Sequence, residues 1–417
     1  MLFSTSKMRK MLFLTVAGAF FSQAHQLSAD ESAKSKKSGH PRIYFSEIDS
    51  RYSGPTHDIV NGWKHLGELI SPDEGIWTSG WQYLDVWWMH QLYMSPHVVW
   101  QLEDADIVFV PARFDLFAAD IAVTCSDFFT EYAPSNFPAL STKPHVMVAS
   151  SFALSFANHT CWNHALFSNF TILTSEPYVP KWQHDFSHCV GIPMMGHLHK
   201  QHLINSYHHS QNLSVIVASK QRLVFSSYVT RIYATRFAAR KHCMNSPHLC
   251  KHEEWEDSGI QTLLPKIQKG YEESWFTIMP HADFALRNSL FDALLAPSLP
   301  VVFDADFARY MPFSQHIDYR MILAVIDEAL FVGDSEDLIR LIHEQYFTRR
   351  LDMLRYLLSV RHLFQYKLYP DHHLISFQTR NRLDAEDDAF TFSMKMLLAN
   401  LCRRKLVSEV RCNSEQD

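Results

Sequence analysis

The chain is poor in glycine, with 12 in 417 residues, and it shows no low-complexity tract or internal repeat. With 47% hydrophobic and 13% aromatic residues, it reads as a core-forming globular protein rather than a disordered one. Positive charge is not in surplus either: 38 basic against 44 acidic residues leave a net charge of −6. General polyanion binders carry a basic excess, so no nucleic-acid partner is expected. Histidine is plentiful, at 25 residues, yet no His-Glu-x-x-His occurs. The run "HLHKQH" at 197–202 and the pairs His208-His209 and His372-His373 fit no common zinc spacing. No metal ligands are assigned.

A long hydrophobic run is also missing at the N-terminus. Lys7, Arg9 and Lys10 precede an apolar stretch of only 11 residues, Met11 to Phe21, followed by the small residues Ser22 and Ala24. A spanning helix needs about 20 apolar residues, so this reads as a signal-peptide core. A short signal anchor is the alternative, because thinner bilayers accept shorter spans. Either reading takes the chain into the secretory pathway, with a mature start near His25 in the first case. Residues 25–40 then form a polar stem containing Lys34, Lys36 and Lys37. Sequons at Asn158, Asn169 and Asn212 agree with that compartment. Seven cysteines allow up to three disulfides in an oxidising lumen, and Cys243 and Cys250 are close enough to staple one loop. Cys125 reads equally well as a small buried hydrophobe.

From residue 41 onward, short apolar strands alternate with helices. "RIYFSEID", "IVFV" at 107–110, "HVMVAS" and "NFTILTS" are strand candidates, and the aromatic stretch from Trp77 to Trp100 is a core helix. A second alternating series opens with "LSVIVAS" at 213–219 as its first strand. It continues through "RLVFSSYV", a basic helix over 230–242, "SWFTIMP" and a strand at "PVVF". Such alternation signals parallel-sheet α/β domains with a ligand cleft between them. The expected division is 41–207 and 208–345, with a helical tail over 346–417.

The segment "MPHADFALRNSLFDALLAPSLPVVFD" at 279–304 carries the chemistry. Leu286, Leu290 and Leu294 repeat every four residues, with Phe291 and Leu295 as a second core row, so a helix follows the strand "SWFTIMP". Arg287 falls in the first turn of that helix, where free N–H groups and the dipole attract anions, and a guanidinium there can clamp a phosphate. Ser289 and Asp292 share a face, and the carboxylate can accept bonds from vicinal hydroxyls. On spacing alone, a solvated arginine and a locally bonded aspartate are the plain alternative.

The run Pro280, Asp283, Arg287, Ser289, Phe291-Asp292-Ala293-Leu294-Leu295-Ala296 and Pro300-Val301-Val302-Phe303 resembles the signature of the exostosin-type glycosyltransferases. It is most similar to the branch that includes plant xyloglucan galactosyltransferases. "LEDADIVFVP", "RLVFSSYVTR", "RFAARKHCMNSPHLC" and "MPF" at 311–313 follow in the family's order, over about residues 42–345. The chain departs from the pattern at Ala282 and Pro297, where the family has glycine, and at Ser298, where it has cysteine.

The resemblance implies an α/β GT-B-like fold: two Rossmann-like domains facing a cleft, the first for a glycan or polysaccharide acceptor and the second for a nucleotide-diphosphate sugar. It implies inverting transfer without a required metal or cofactor, the donor being a UDP-sugar, in the Golgi lumen. Asp304 and Asp306 resemble the metal-binding Asp-x-Asp of another glycosyltransferase fold, but here they read as a strand-end loop. Donor-binding candidates are Arg287, Asp292, Ser289, Asp283, Arg222 and Arg231. Asp115 and His57 are the candidate catalytic bases, and the family also places paired cysteines at Cys243 and Cys250. Membrane association would run through the N-terminus, and a partner glycosyltransferase is a further candidate. The three departures motivate a second reading, a non-catalytic glycan-binding or accessory protein that keeps the fold.

Overall fold

The computed structural model describes residues 41–46, 84–95, 97–112, 142–149, 170–175, 188–197, 213–228, 233–254, 260–280, 286–333, 335–366 and 388–407. Short pieces at 69–71, 76–77, 127–128, 130–132, 178–179 and 184–185, together with residue 412, complete the set. The leader, the stem, His57, Asp115, Arg231, Asp283 and the asparagines of the three sequons lie outside it.

Among the described residues the first strands are β1 (Ile43–Phe45), β2 (Leu69–Ser71), β3 (Ile76–Trp77), β4 (Val98–Val99), β5 (Ile107–Phe109), β6 (His145–Ala149) and β7 (Phe170–Thr174). They continue with β8 (Tyr178–Val179), β9 (His184–Asp185), β10 (Cys189–Gly191), β11 (Arg222–Ser227), β12 (Cys250–Glu253), β13 (Ser274–Ile278), β14 (Leu299–Val302) and β15 (Ala324–Val325). Two sheets hold most of them, in the orders β10-β7-β6-β5-β1-β4 and β12-β11-β13-β14-β15. Every pairing in both is parallel. The pairs β2/β3 and β8/β9 are small antiparallel ribbons.

The helices are α1 (Leu84–Met94), α2 (Leu213–Ser219), α3 (Ala234–Asn245), α4 (Ile260–Glu273), α5 (Asn288–Leu295), α6 (Ala329–Val332), α7 (Leu338–Tyr346), α8 (Arg350–Val360) and α9 (Ala389–Arg403). Parallel strands covered on both faces need near-continuous apolar runs. β6 and β7 are such strands, buried at every position. In α1, Trp87 and Trp88 are fully buried. Trp88 packs on Phe109 and Phe390, and Trp87 meets Tyr366 edge-on. Phe390 belongs to α9, so the last helix, within the expected tail, is built into the core of the first sheet. α7 and α8 pack on the second sheet instead.

One expected strand is a helix. "LSVIVAS" forms α2, with Ile216 buried but Val215 65% exposed. A short apolar run does not reveal its period, and a central strand would have had to bury both faces. The basic helix runs over 234–245 rather than 230–242.

The pair Cys243–Cys250 is bonded, joining the end of α3 to the start of β12, with Cα atoms 5.1 Å apart. A second disulfide, Cys402–Cys412, ties the C-terminal segment to α9 and was not anticipated. Loop-closure entropy for a ring of this size gives about 2.5 kcal/mol. Replacing Cys243 and Cys250 with serine should lower the unfolding free energy by about that much. Urea denaturation measures it, and an unchanged midpoint would deny the staple its role.

Burial pushes the imidazoles of His145 and His188 down to about 4, the latter helped by the positive charge of Arg404. Their folded values lie below the unfolded value, so the unfolded chain binds more protons between pH 6.5 and 4. Stability is therefore expected to hold above pH 6.5 and to decline as pH falls toward 4. His145→Gln should flatten that decline in urea midpoints taken at pH 7, 5.5 and 4.5. Parallel slopes for the two proteins would refute the assignment.

Candidate functional site

Both sheets reverse direction around their first strand. In the first sheet β4 lies on one side of β1 and β5 on the other; in the second, β12 and β13 flank β11. Open α/β sheets bind ligands outside the carboxyl ends of the strands where the winding reverses. For the second sheet that point is the gap above β11 and β13, lined by Ser226, Ser227 and Tyr228 and by Met279 and Pro280.

Arg287 stands at this gap. It is the N-cap of α5, in extended backbone, one residue before the helix rather than inside its first turn. Its Nη2 donates to the carbonyl of Pro280, at the end of β13. Among the described residues no carboxylate pairs with it. Burial depresses its pKa to about 10, with the nearby charge of Arg236 acting in the same direction. A guanidinium that is costly to charge in place is one that an incoming anion would relieve.

Around it, polar groups wait at the strand ends. Ser226 Oγ bonds His252 Nδ1 at 2.7 Å across β11 and β12. Ser227 Oγ and His252 Nε2 are buried without a hydrogen-bond partner among the described residues. The Tyr228 hydroxyl lies near Ser226 but makes no well-formed hydrogen bond. Burial lowers the His252 pKa, and Arg240 adds to the effect. Native proteins seldom leave such groups unsatisfied, and functional sites are a recognised exception. Arg236, Arg240 and Arg287 all act electrostatically on Tyr228, which places positive charge around the gap.

The other expected residues divide. Ser289 lies in the first turn of α5, partly buried. Arg222 begins β11, so it sits at the far end of that strand, roughly 16 Å from the gap at 3.3 Å per residue. Its guanidinium donates to Pro247 O. The structure does not bring it to the site, because a strand separates its two ends by its full length.

Asp292 has a partner that the sequence did not disclose. Its Oδ1 accepts from the backbone N–H of His197 at 2.6 Å, and its Oδ2 lies 2.8 Å from His197 Nδ1. His197 lies in the segment after β10, so this buried contact joins the first sheet's last described loop to a helix packed on the second sheet. Gly196 makes it possible, since a Cβ there would fall 2.3 Å from Asp292 Oδ1. Adjacent Met194 and Met195 are buried, and Pro193 O accepts from Tyr366, which fixes the segment. The pairing of Asp292 with donor hydroxyls, expected from the sequence, therefore meets a carboxylate whose oxygens are both already engaged.

At the departing positions, packing supplies substitutes. Ser298 Oγ bonds Thr277 Oγ1 at 2.6 Å and Ser274 O at 3.3 Å. Pro297 O accepts from Lys220 Nζ at 2.8 Å. Burial pushes that amine down to about 7. These contacts lie beyond the C-terminal end of α5, at the opposite end of the helix from Arg287.

Among the described residues, no group of three or more His, Cys, Asp or Glu side chains gathers as a metal site. No described helix is long and apolar enough to cross a membrane.

A relative from Arabidopsis thaliana, xyloglucan-specific galacturonosyltransferase 1, is 23% identical over 163 residues. The matched part covers 39% of this chain and only 23% of that protein's length. The exostosin GT47 domain matches residues 37–333, well over half the chain. This protein belongs to the exostosin GT47 family.

Proposed function

We propose that the chain is an inverting glycosyltransferase of GT-B type. It moves a sugar from a nucleoside-diphosphate donor to a hydroxyl of a glycan acceptor in the secretory pathway. One observation carries the reading: Arg287, a partly buried guanidinium with no carboxylate partner among the described residues, stands at the N-terminus of α5 beside Arg236. In such a displacement the acceptor oxygen bonds C1 as the C1–O bond to the diphosphate breaks. The leaving diphosphate gathers negative charge, and fixed positive charge stabilises it where it forms. Arg287 and the dipole of α5 offer that charge, with Ser289 in the first turn of the helix and Asp283 kept as a donor-binding candidate from the sequence. Chemically, a UDP-sugar is the donor, Asp115 and His57 are candidate bases from the first domain, and a matrix polysaccharide of the xyloglucan type is the acceptor class. The Golgi lumen is the proposed compartment.

The non-catalytic reading rests on Ala282, Pro297 and Ser298. The last two are absorbed by Lys220 and Thr277, which leaves the gap around Arg287 intact and favours catalysis. A thermal-shift panel of UDP, UDP-hexoses and UDP-uronic acids tests the proposal. A bound donor at a hundred times its dissociation constant should add about 2.7 kcal/mol of stability. Absence of a shift with every member of the panel would remove the catalytic reading.

A further inference from the structure

We infer that His197 is the catalytic base of the transfer and that Asp292 is its positioning residue; this rests on the glycosyl-transfer reading above. The geometry starts from the carboxylate. Asp292 engages His197 twice, through the backbone N–H at 2.6 Å and through ring Nδ1 at 2.8 Å. A carboxylate at Nδ1 holds the proton there, so the free lone pair sits on Nε2. That is the tautomer a base needs. Nε2 has no hydrogen-bond partner among the described residues, and the side chain keeps 11% exposure while Asp292 keeps 5%. The pair is nearly buried, with the imidazole the more exposed of its two members.

Its place in the fold agrees. His197 comes from the loop after β10, at the carboxyl end of the first sheet, and Asp292 from the helix whose N-cap is Arg287. Tyr271 feels the charges of both Asp292 and Arg287, so the dyad and the cationic gap share one neighbourhood. An acceptor hydroxyl presented by the first domain would meet Nε2 where the donor is presented by the second.

The step balances. The acceptor O–H proton passes to Nε2 as the acceptor oxygen bonds C1, and the C1–O bond to the diphosphate breaks with its electron pair. The imidazolium formed is stabilised by Asp292 and later returns its proton to water. Asp292 never touches the substrate.

His197→Asn is the informative variant, because its amide nitrogen can still donate to Asp292 from the Nδ1 position while no base remains. The donor is the UDP-sugar giving the largest shift in the thermal panel, and the readouts are UDP affinity, UDP release and its pH profile. Expected are wild-type UDP affinity, release slowed by roughly 10²–10⁴-fold, and loss of the acidic limb of the profile. Asp292→Asn should also slow release, with His197 still present but in the wrong tautomer. Turnover within threefold of wild type, or joint loss of UDP binding and turnover in His197→Asn, would overturn the inference. Failure of the wild-type protein itself to bind any UDP-sugar would strike the underlying reading instead.

Discussion

Arg287→Ala is expected to leave a folded protein that no longer supports transfer. Removing one preorganised donor from a developing anion costs about 2–4 kcal/mol, or roughly 10²–10³ in rate. The folded state should lose little, because the guanidinium's one described bond goes to Pro280 O, and deleting a cation depressed by burial and by Arg236 removes an unfavourable term. Arg287→Lys should recover only part of the rate, since an ammonium keeps the charge but not the planar fork that grips two phosphate oxygens. UDP-sugar turnover and UDP affinity, measured beside urea stability, check both variants. Unchanged affinity and turnover in a well-folded Arg287→Ala protein would move the diphosphate site elsewhere.

How legible this site was depends on the range of the contacts that build it. The helix carrying Arg287 could be read directly, because Leu286, Leu290 and Leu294 form a four-residue repeat and all three are buried. The strands β6, β7, β11, β13 and β14 showed as apolar runs for the same local reason. β12 and β15 did not, being short and, in β12, mostly polar. α2 was misread because seven apolar-rich residues suit either state until the surroundings choose. Arg222 was a second-rank donor candidate, a basic residue at a strand, and the direction of β11 sets it at the far end from the gap. The dyad was out of reach altogether. His197 and Asp292 are 95 positions apart and belong to elements around different sheets, and the histidine sat in a run weighed only as a metal site and set aside. The one local hint was a glycine, scarce in this chain, immediately before His197.

That glycine sets the second large effect. Gly196→Ala would place a methyl group 2.3 Å from Asp292 Oδ1 and 3.2 Å from Asp292 Cγ, closer than the carboxylate can tolerate without moving. Asp292 is held on a buried stretch of α5 between Phe291 and Ala293, so the loop or the carboxylate must give way. Either movement breaks the bonds to the His197 N–H and Nδ1 together. Each buried polar group left unsatisfied costs about 1–3 kcal/mol, so a total of roughly 2–4 kcal/mol is expected after partial relaxation. The same change frees the imidazole to rotate, so turnover should fall by more than the stability loss explains, with UDP affinity close to wild type. Urea denaturation gives the first quantity, and UDP release at saturating donor gives the second. A Gly196→Ala protein with unaltered stability and turnover would show that the loop approaches α5 less tightly than 2.3 Å implies, and His197 would lose its claim to a fixed orientation.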